Sequence, residues 1–259
     1  MQQTQIVMTM AGFGQRFRDA GYKRPKFQIE VHGRTLFSWS LLSLESFTQA
    51  GASFLFIART ADNCGDFITR ELPALGIHDW SLLELESPTD GQATTALQAL
   101  TIVKADLPFL IYNIDTFVEP NSLPHDAVCG DGWVPCFPGA GDSWSFARTA
   151  EDSLEIVEIR EKQRISPQAT IGLYWFKSGS LYADLYHRFY RSADHLEAGE
   201  RYIAPMYNQL IQDGGRVYLH PVPIETVHPL GTPSDVHRFQ ITDCPRLYSS
   251  APDSSDSMM

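Results

Sequence analysis

Short apolar runs alternate with helix-like repeats along the first half of the chain. The runs cover residues 6–10, 53–58, 82–85 and 108–112, and each has the length of a strand buried on both faces of a parallel sheet. Between them, apolar residues recur at helical spacing in residues 35–47, 62–75 and 92–104, with Thr35 placed to cap the first helix. This alternation predicts one three-layer α/β/α domain around a mostly parallel, Rossmann-like mixed sheet.

The second half of the chain predicts antiparallel strands. Residues 133–137 are expected to extend the main sheet, and residues 144–148 and 154–159 to form a small antiparallel flap. Helices are predicted at residues 178–190 and 202–211, a strand at residues 217–222, and a short helix ending near Phe239. Residues 249–259 are rich in Ser and Asp, which predicts a disordered tail after a single domain at residues 1–248.

Composition narrows the class of protein. Hydrophobic residues make up 43% of the chain and charged residues 20%, as in ordinary globular domains. The net charge of −11 argues against general nucleic-acid binding. No apolar run reaches membrane-span length, and the amino terminus lacks the regions of a signal peptide, so we expect a cytoplasmic protein without membrane contact. The four scattered cysteines are expected to be free thiols, and a monomer and a homo-oligomer both stay open.

A glycine turn with a basic segment follows the first apolar run. Gly12 and Gly14 let the backbone present bare amides to an anion, although no Walker A loop is present. Five of the 20 Lys and Arg residues fall between Arg16 and Lys26. This clustering favours capture of a polyphosphate, and an ordinary strand-to-helix turn beside a solvated basic face is the alternative.

Asp115 follows the fourth apolar run, at the expected ligand-binding edge of the sheet. A carboxylate there can hold Mg²⁺ while phosphates and water complete the coordination, or it can simply form a turn. Gly91 and Gln92 stand at the start of a predicted helix. The backbone amides of its first turn are a second group that could bind a nucleotide.

These motifs, in this order, resemble those of sugar-phosphate nucleotidyltransferases, which make nucleotide-activated sugars on a GT-A-like fold. The resemblance rests on residues 10–17 with Pro25 and Lys26, on Gly91 to Ala93, on Asn113 to Asp115, on Glu161 with Lys162, and on the late element at residues 231–233. It implies a nucleotide site formed by Ala11, Gly12, Phe13, Gly14, Gln15, Arg16, Lys26, Glu86, Gly91, Gln92 and Asn113. It further implies Mg²⁺ on Asp115 and an acceptor site formed by Ser145, Glu161, Lys162, Gly172 and Tyr174.

The implied reaction couples a nucleoside triphosphate to a small phosphorylated acceptor and releases pyrophosphate. A sugar 1-phosphate is the commonest acceptor among relatives, and the product would serve surface (capsular) polysaccharide synthesis. The resemblance gives the catalytic roles to Arg16, Lys26, Asp115 and Lys162. In this assignment Lys162 binds the phosphate of the acceptor.

The chain also departs from this family's pattern. Pro229 stands where many relatives have an aspartate that binds the metal, so a second carboxylate would come from Asp90 or Glu225, or from neither. Phe13 and Gln15 replace smaller residues in the glycine turn. A CTP-dependent cytidylyltransferase acting on choline phosphate or an amino-acid-derived phosphate, a GT-A glycosyltransferase and an inactive nucleotide-binding module are alternatives, and the base stays open.

Overall fold

The first strand, β1 (Gln5–Thr9), lies in the interior of the main sheet of the computed structural model, which describes residues 2–192, 195–197 and 199–245. It pairs in parallel with β4 (Ser53–Arg59) and β6 (Phe109–Asn113), and β4 pairs in parallel with β5 (Trp80–Leu85). The four apolar runs therefore form the predicted parallel part of the sheet. The predicted tail at residues 249–259 lies outside the described residues, and the domain boundary at residue 248 stays a prediction.

The main sheet has ten strands and becomes antiparallel beyond β6. The added strands are β8 (Gly132–Pro138), β9 (Ser145–Thr149), β10 (Ile156–Glu161), β11 (Gln168–Thr170), β12 (Leu173–Phe176) and β13 (Val217–Pro221). The order of the sheet is β10-β9-β11-β8-β12-β6-β1-β4-β5, and β13 pairs in parallel with β8. The strands predicted as a flap are β9 and β10, and β11 makes them continuous with the main sheet.

Two short sheets lie beside the main one. They consist of β2 (Glu30–Val31) with β3 (Arg34–Thr35), and of β7 (Thr116–Val118) with β14 (Val227–Pro229). The helices are α1 (Gln15–Asp19), α2 (Leu36–Leu42), α3 (Glu45–Gln49), α4 (Gly65–Glu71), α5 (Gln92–Gln98), α6 (Gly179–Phe189), α7 (Tyr207–Gln212) and α8 (Pro233–Ile241). Among the described residues, no helix is both long and apolar enough to cross a membrane.

Apolar layers cover both faces of the sheet, because successive strand residues point to opposite sides. In β1, Ile6 and Met8 join the core on the α2–α4 face, and Val7 joins the core on the α5–α7 face. A third cluster packs Phe17 of α1 with residues of α2, β7 and α8. The predicted three-layer α/β/α arrangement is confirmed, and this third cluster fixes the glycine turn against the domain.

Several helices are shorter than predicted. The helix expected at residues 35–47 divides into α2 and α3, and the one expected at residues 62–75 begins only at Gly65, after Asn63 takes a left-handed conformation with φ 43°. The predicted cap at Thr35 is confirmed, since its side chain accepts a hydrogen bond from an amide of the first turn of α2, and Ser178 caps α6 in the same way.

Candidate active site

A cavity of about 440 Å³ opens at the carboxyl ends of β1, β4 and β6. Ligands of open α/β sheets bind at this edge, because the loops leaving parallel strands meet there. The walls come from the glycine turn, the basic segment, the loop before α5 and the loop after β6. Their lining residues include Ala11, Gly12, Phe13, Gly14, Arg18, Arg24, Lys26, Arg59, Gly91, Gln92, Asn113, Asp115 and Glu200.

The glycine turn forms one wall of this cavity. Gly14 precedes α1 with a left-handed φ of 60°, and a Cβ there would lie 3.5 Å from Cβ of Lys26. Arg18 and Arg24 line the cavity together with Lys26. The predicted residues Gln15 and Arg16 are exposed and lie outside the lining.

Lys26 and Asp115 meet inside the cavity, although 89 positions separate them in the sequence. The ammonium group of Lys26 forms an ion pair with Oδ1 of Asp115, and their side chains are 17% and 39% exposed. The aspartate is held in place from both sides. Its amide donates to Oδ1 of Asn113 over 3.2 Å, and its carbonyl accepts from the amide of Leu230 over 2.6 Å. The sequence predicted both charged residues, and the structure brings them together.

The carboxylates near Asp115 determine whether the protein alone could bind magnesium at this site. Among the residues that the structure describes, no group of three His, Cys, Asp or Glu side chains could hold a metal. Asp90 lines the cavity but pairs with Arg201 at 3.0 Å, and Glu225 lies in the 3-10 helix Ile224–Thr226, outside the lining. A single carboxylate fits Mg²⁺ that arrives with a nucleotide, because magnesium commonly takes one or two carboxylates plus phosphates and water.

The loop before α5 is bound to a later segment of the chain. Gly91 has φ 144°, and a Cβ there would lie 2.4 Å from the carbonyl oxygen of Arg201. That same oxygen accepts the amide of Ala93, and the side chain of Gln92 donates to Thr9 at the end of β1. Glu86, which was predicted near the base, is exposed and lies outside the cavity lining.

The predicted acceptor residues gather at the end of β10. Ser145 donates to Glu161, and the hydroxyl of Tyr174 lies 3.4 Å from that of Ser145 and 3.0 Å from that of Thr170. Burial raises the pKa of the Glu161 carboxyl, although the hydrogen bond from Ser145 opposes this. Lys162 follows in a left-handed conformation with φ 51° and donates from its ammonium group to Tyr202.

Gly172 joins the acceptor residues to the loop after β6. It has φ 81°, its carbonyl accepts the amide of Asn113 over 3.3 Å, and a Cβ there would lie 2.1 Å from Nδ2 of Asn113. Only glycine fits this position without moving Asn113, which in turn holds Asp115.

Gly172→Ala should therefore lower both stability and turnover. We expect the free energy of unfolding to fall by roughly 1–3 kcal/mol, because the new methyl group adds a clash with Asn113 to the strain of a positive φ. Urea denaturation measures this loss. Gly51→Ala is the matched control, since Gly51 has φ 80° and a Cβ added there would have no atom within 4 Å. Equal losses in the two variants would contradict a role for the contact with Asn113.

The sequence prediction missed Arg59 at the end of β4. Its guanidinium donates to Asp62 over 2.9 Å and lies 4.9 Å from the ring centroid of Phe13. Both Arg59 and Asp62 line the cavity. The edge rule that singled out Asp115 could also have found Arg59, because β4 ends at the same edge.

Several solved structures are similar to this chain. A nucleoside-diphosphate-sugar pyrophosphorylase from Vibrio cholerae RC9 is 35% identical, with a TM-score of 0.85 over 92% of this chain and 100% of that chain. The inositol-1-phosphate CTP transferase from T. maritima is 14% identical, with a TM-score of 0.70 over 91% and 93%. A Bacillus anthracis protein assigned as a glucose-1-phosphate thymidylyltransferase is 14% identical, with a TM-score of 0.72 over 94% and 98%. No protein-family model and no curated protein matches the chain.

The fold and the cavity at its carboxyl edge define a nucleotidyltransferase that acts on a phosphorylated acceptor. More narrowly, the chain belongs to the family of the nucleoside-diphosphate-sugar pyrophosphorylases. The predicted family, fold and enzyme class are confirmed. These findings argue against the alternatives of a glycosyltransferase and an inactive binding module. The roles of the individual site residues stay predictions.

Proposed function

We propose that this enzyme joins a nucleoside triphosphate to a sugar 1-phosphate and releases pyrophosphate. The observation that carries the proposal is the meeting of Lys26 with Asp115 beside the glycine turn, in a cavity also lined by Arg18 and Arg24. This arrangement supplies several cations for a triphosphate within an acidic protein whose net charge is −11.

The reaction needs no enzyme nucleophile. An oxygen of the acceptor phosphate attacks the α-phosphorus in line, the new oxygen–phosphorus bond forms, and the bond to the β-phosphate breaks as pyrophosphate leaves. Lys26 and the arginines of the cavity neutralise charge on the triphosphate, while Lys162 holds the acceptor phosphate. Asp115 would hold Mg²⁺, which when bound supplies additional positive charge at the phosphates.

Hydroxyl recognition fits the residues at the end of β10. Glu161 accepts from Ser145 and can accept further hydrogen bonds from sugar hydroxyls, because an ionised carboxylate offers about four lone-pair sites. Most aromatic residues of the second half do not favour choline phosphate. Trp133, Phe137 and Trp175 are buried in the core, which leaves their faces unavailable to a quaternary ammonium, and the ring of Phe146 already faces the guanidinium of Arg164 at 5.2 Å.

We also propose a cellular role for the product and a compartment for the enzyme. A nucleotide-activated sugar is a donor for sugar transfer, and we assign this one to surface polysaccharide synthesis. We assign the enzyme to the cytoplasm, in keeping with four cysteines that are all free.

A pyrophosphate-release assay with Mg²⁺ tests the proposal. It crosses CTP, UTP, dTTP and GTP with a panel of sugar 1-phosphates, inositol phosphate, choline phosphate and amino-acid-derived phosphates. We expect release to require one triphosphate together with one sugar 1-phosphate. Release with choline phosphate or an amino-acid-derived phosphate alone would contradict the proposed acceptor while keeping the reaction type.

A further inference from the structure

Three consecutive residues, Glu200 to Tyr202, connect the nucleotide cavity with the predicted acceptor lysine. Glu200 lines the cavity itself. Arg201 binds the loop before α5 through its backbone and through its guanidinium, which lies 3.0 Å from Asp90. Tyr202 accepts a hydrogen bond of 2.6 Å from the ammonium group of Lys162. No motif of the sequence pointed to this connecting segment.

Tyr202 holds Lys162 through its hydroxyl group. Its hydroxyl accepts from the ammonium nitrogen, which also lies 4.5 Å from the centroid of the tyrosine ring. The hydroxyl donates in turn to Glu200 over 2.6 Å, so its proton is committed and its lone pairs face the lysine. Burial and the neighbouring carboxylate of Glu200 both raise the pKa of Tyr202, which keeps the hydroxyl protonated in this arrangement.

The tyrosine is itself fixed. Its carbonyl accepts the hydroxyl of Tyr190 over 2.5 Å, and the preceding Arg201 lies over the rings of Tyr186 and Tyr190 at 5.7 and 5.4 Å. Lys162, by contrast, is exposed and has a flexible side chain. Its backbone is held in a left-handed conformation that non-glycine residues rarely adopt. The fixed partner can therefore direct the mobile one.

We infer that Tyr202 is a positioning residue for the acceptor, acting through Lys162. The inference rests on the proposed function, in which Lys162 holds the acceptor phosphate. A lysine loses rotamer freedom when it binds a phosphate, and a side chain already held close to its working position loses less. Tyr202 thus lowers the KM for the acceptor more than the KM for the nucleotide.

A double-mutant cycle tests this route. The variants are Tyr202→Phe, Lys162→Met and the two together, assayed by pyrophosphate release with UTP and glucose 1-phosphate or with the more active pair found in the panel. We expect Lys162→Met to raise the acceptor KM by about tenfold or more, and Tyr202→Phe by roughly three- to tenfold. Tyr202→Phe should add nothing in the Lys162→Met background.

Tyr207→Phe is the matched control. It removes a buried hydroxyl that donates to the carbonyl of Trp175 over 2.7 Å, without contact to Lys162. Its acceptor KM should stay within about twofold of the wild type even if its melting temperature falls. The inference alone is overturned if Tyr202→Phe has no effect, or raises the acceptor KM equally in both backgrounds, while Lys162→Met does raise it. An unchanged KM in Lys162→Met would overturn the role of Lys162 in the proposed function, and the inference with it.

Discussion

Asp115→Asn is expected to lower kcat by about two to three orders of magnitude, the range typical of losing one preorganised charge-stabilising group. The substitution keeps the size and hydrogen-bonding shape of the side chain but removes the negative charge that would hold Mg²⁺. Asp62 and Asp90 also line the cavity, but each is paired with an arginine, Arg59 and Arg201, so we expect neither to replace the lost carboxylate. Pyrophosphate release under saturating substrates measures the change.

A metal-binding measurement separates a role of Asp115 in holding the metal from its other possible roles in the site. Binding of Mn²⁺ in the presence of the triphosphate, followed by electron paramagnetic resonance, should weaken in Asp115→Asn. Asp131→Asn is the matched control, since Asp131 also pairs with a lysine, Lys177, at 3.1 Å but lies outside the cavity lining. Wild-type turnover and metal binding in Asp115→Asn would remove this aspartate from the site.

The position of Asp115 was predictable from the sequence, but its ion pair with Lys26 was not. An aspartate that directly follows a buried parallel strand must lie at the carboxyl edge of the sheet, whatever the rest of the chain does. The contact with Lys26 depends on the 3-10 turn Lys26–Gln28, which occupies part of the stretch between the basic segment and β2. Hydrophobic periodicity does not report a three-residue turn.

Arg18 lines the cavity and Arg16, which the resemblance named, does not. The sequence could not show this for a similar reason. Helix α1 has five residues, and Phe17 is its only buried one. A single apolar position gives no helical phase, so the sequence could not show which flanking arginine lines the cavity. The family resemblance named Arg16, and the geometry favours Arg18 as a lining residue.

The connecting segment and the extent of the sheet escaped prediction because both depend on distant contacts. Tyr202 was expected to begin a helix, but it lies before the 3-10 turn Ala204–Met206 and α7, and Glu200 belongs to no recognisable motif. β11 has only three residues, Gln168–Thr170, yet it connects β9 to β8 and makes the predicted flap part of the main sheet. Short strands of this kind are stabilised by their neighbours, because pairing and burial outweigh local preference.

Lys26→Met is expected to reduce kcat/KM for the nucleoside triphosphate by about 10²–10³-fold, because the change removes a partly buried cation from the proposed phosphate site. It also leaves Asp115 without its ion-pair partner. In the absence of nucleotide, Mn²⁺ should therefore bind the variant more tightly than the wild type, since metal and lysine compete for one carboxylate. Titration of Mn²⁺ and pyrophosphate-release kinetics measure the two effects.

Two control variants decide whether the pair acts on phosphate or only on stability. Lys177→Met removes a more exposed lysine that also pairs with an aspartate, outside the active-site cavity, and its kinetics should match the wild type. The double variant Lys26→Met with Asp115→Asn replaces the ion pair by a neutral pair, so it should regain stability lost in either single variant, because no unpaired charge remains. Turnover should stay low in this double variant. Recovery of turnover along with stability would mean that Lys26 and Asp115 support the fold of the cavity and bind neither phosphate nor metal.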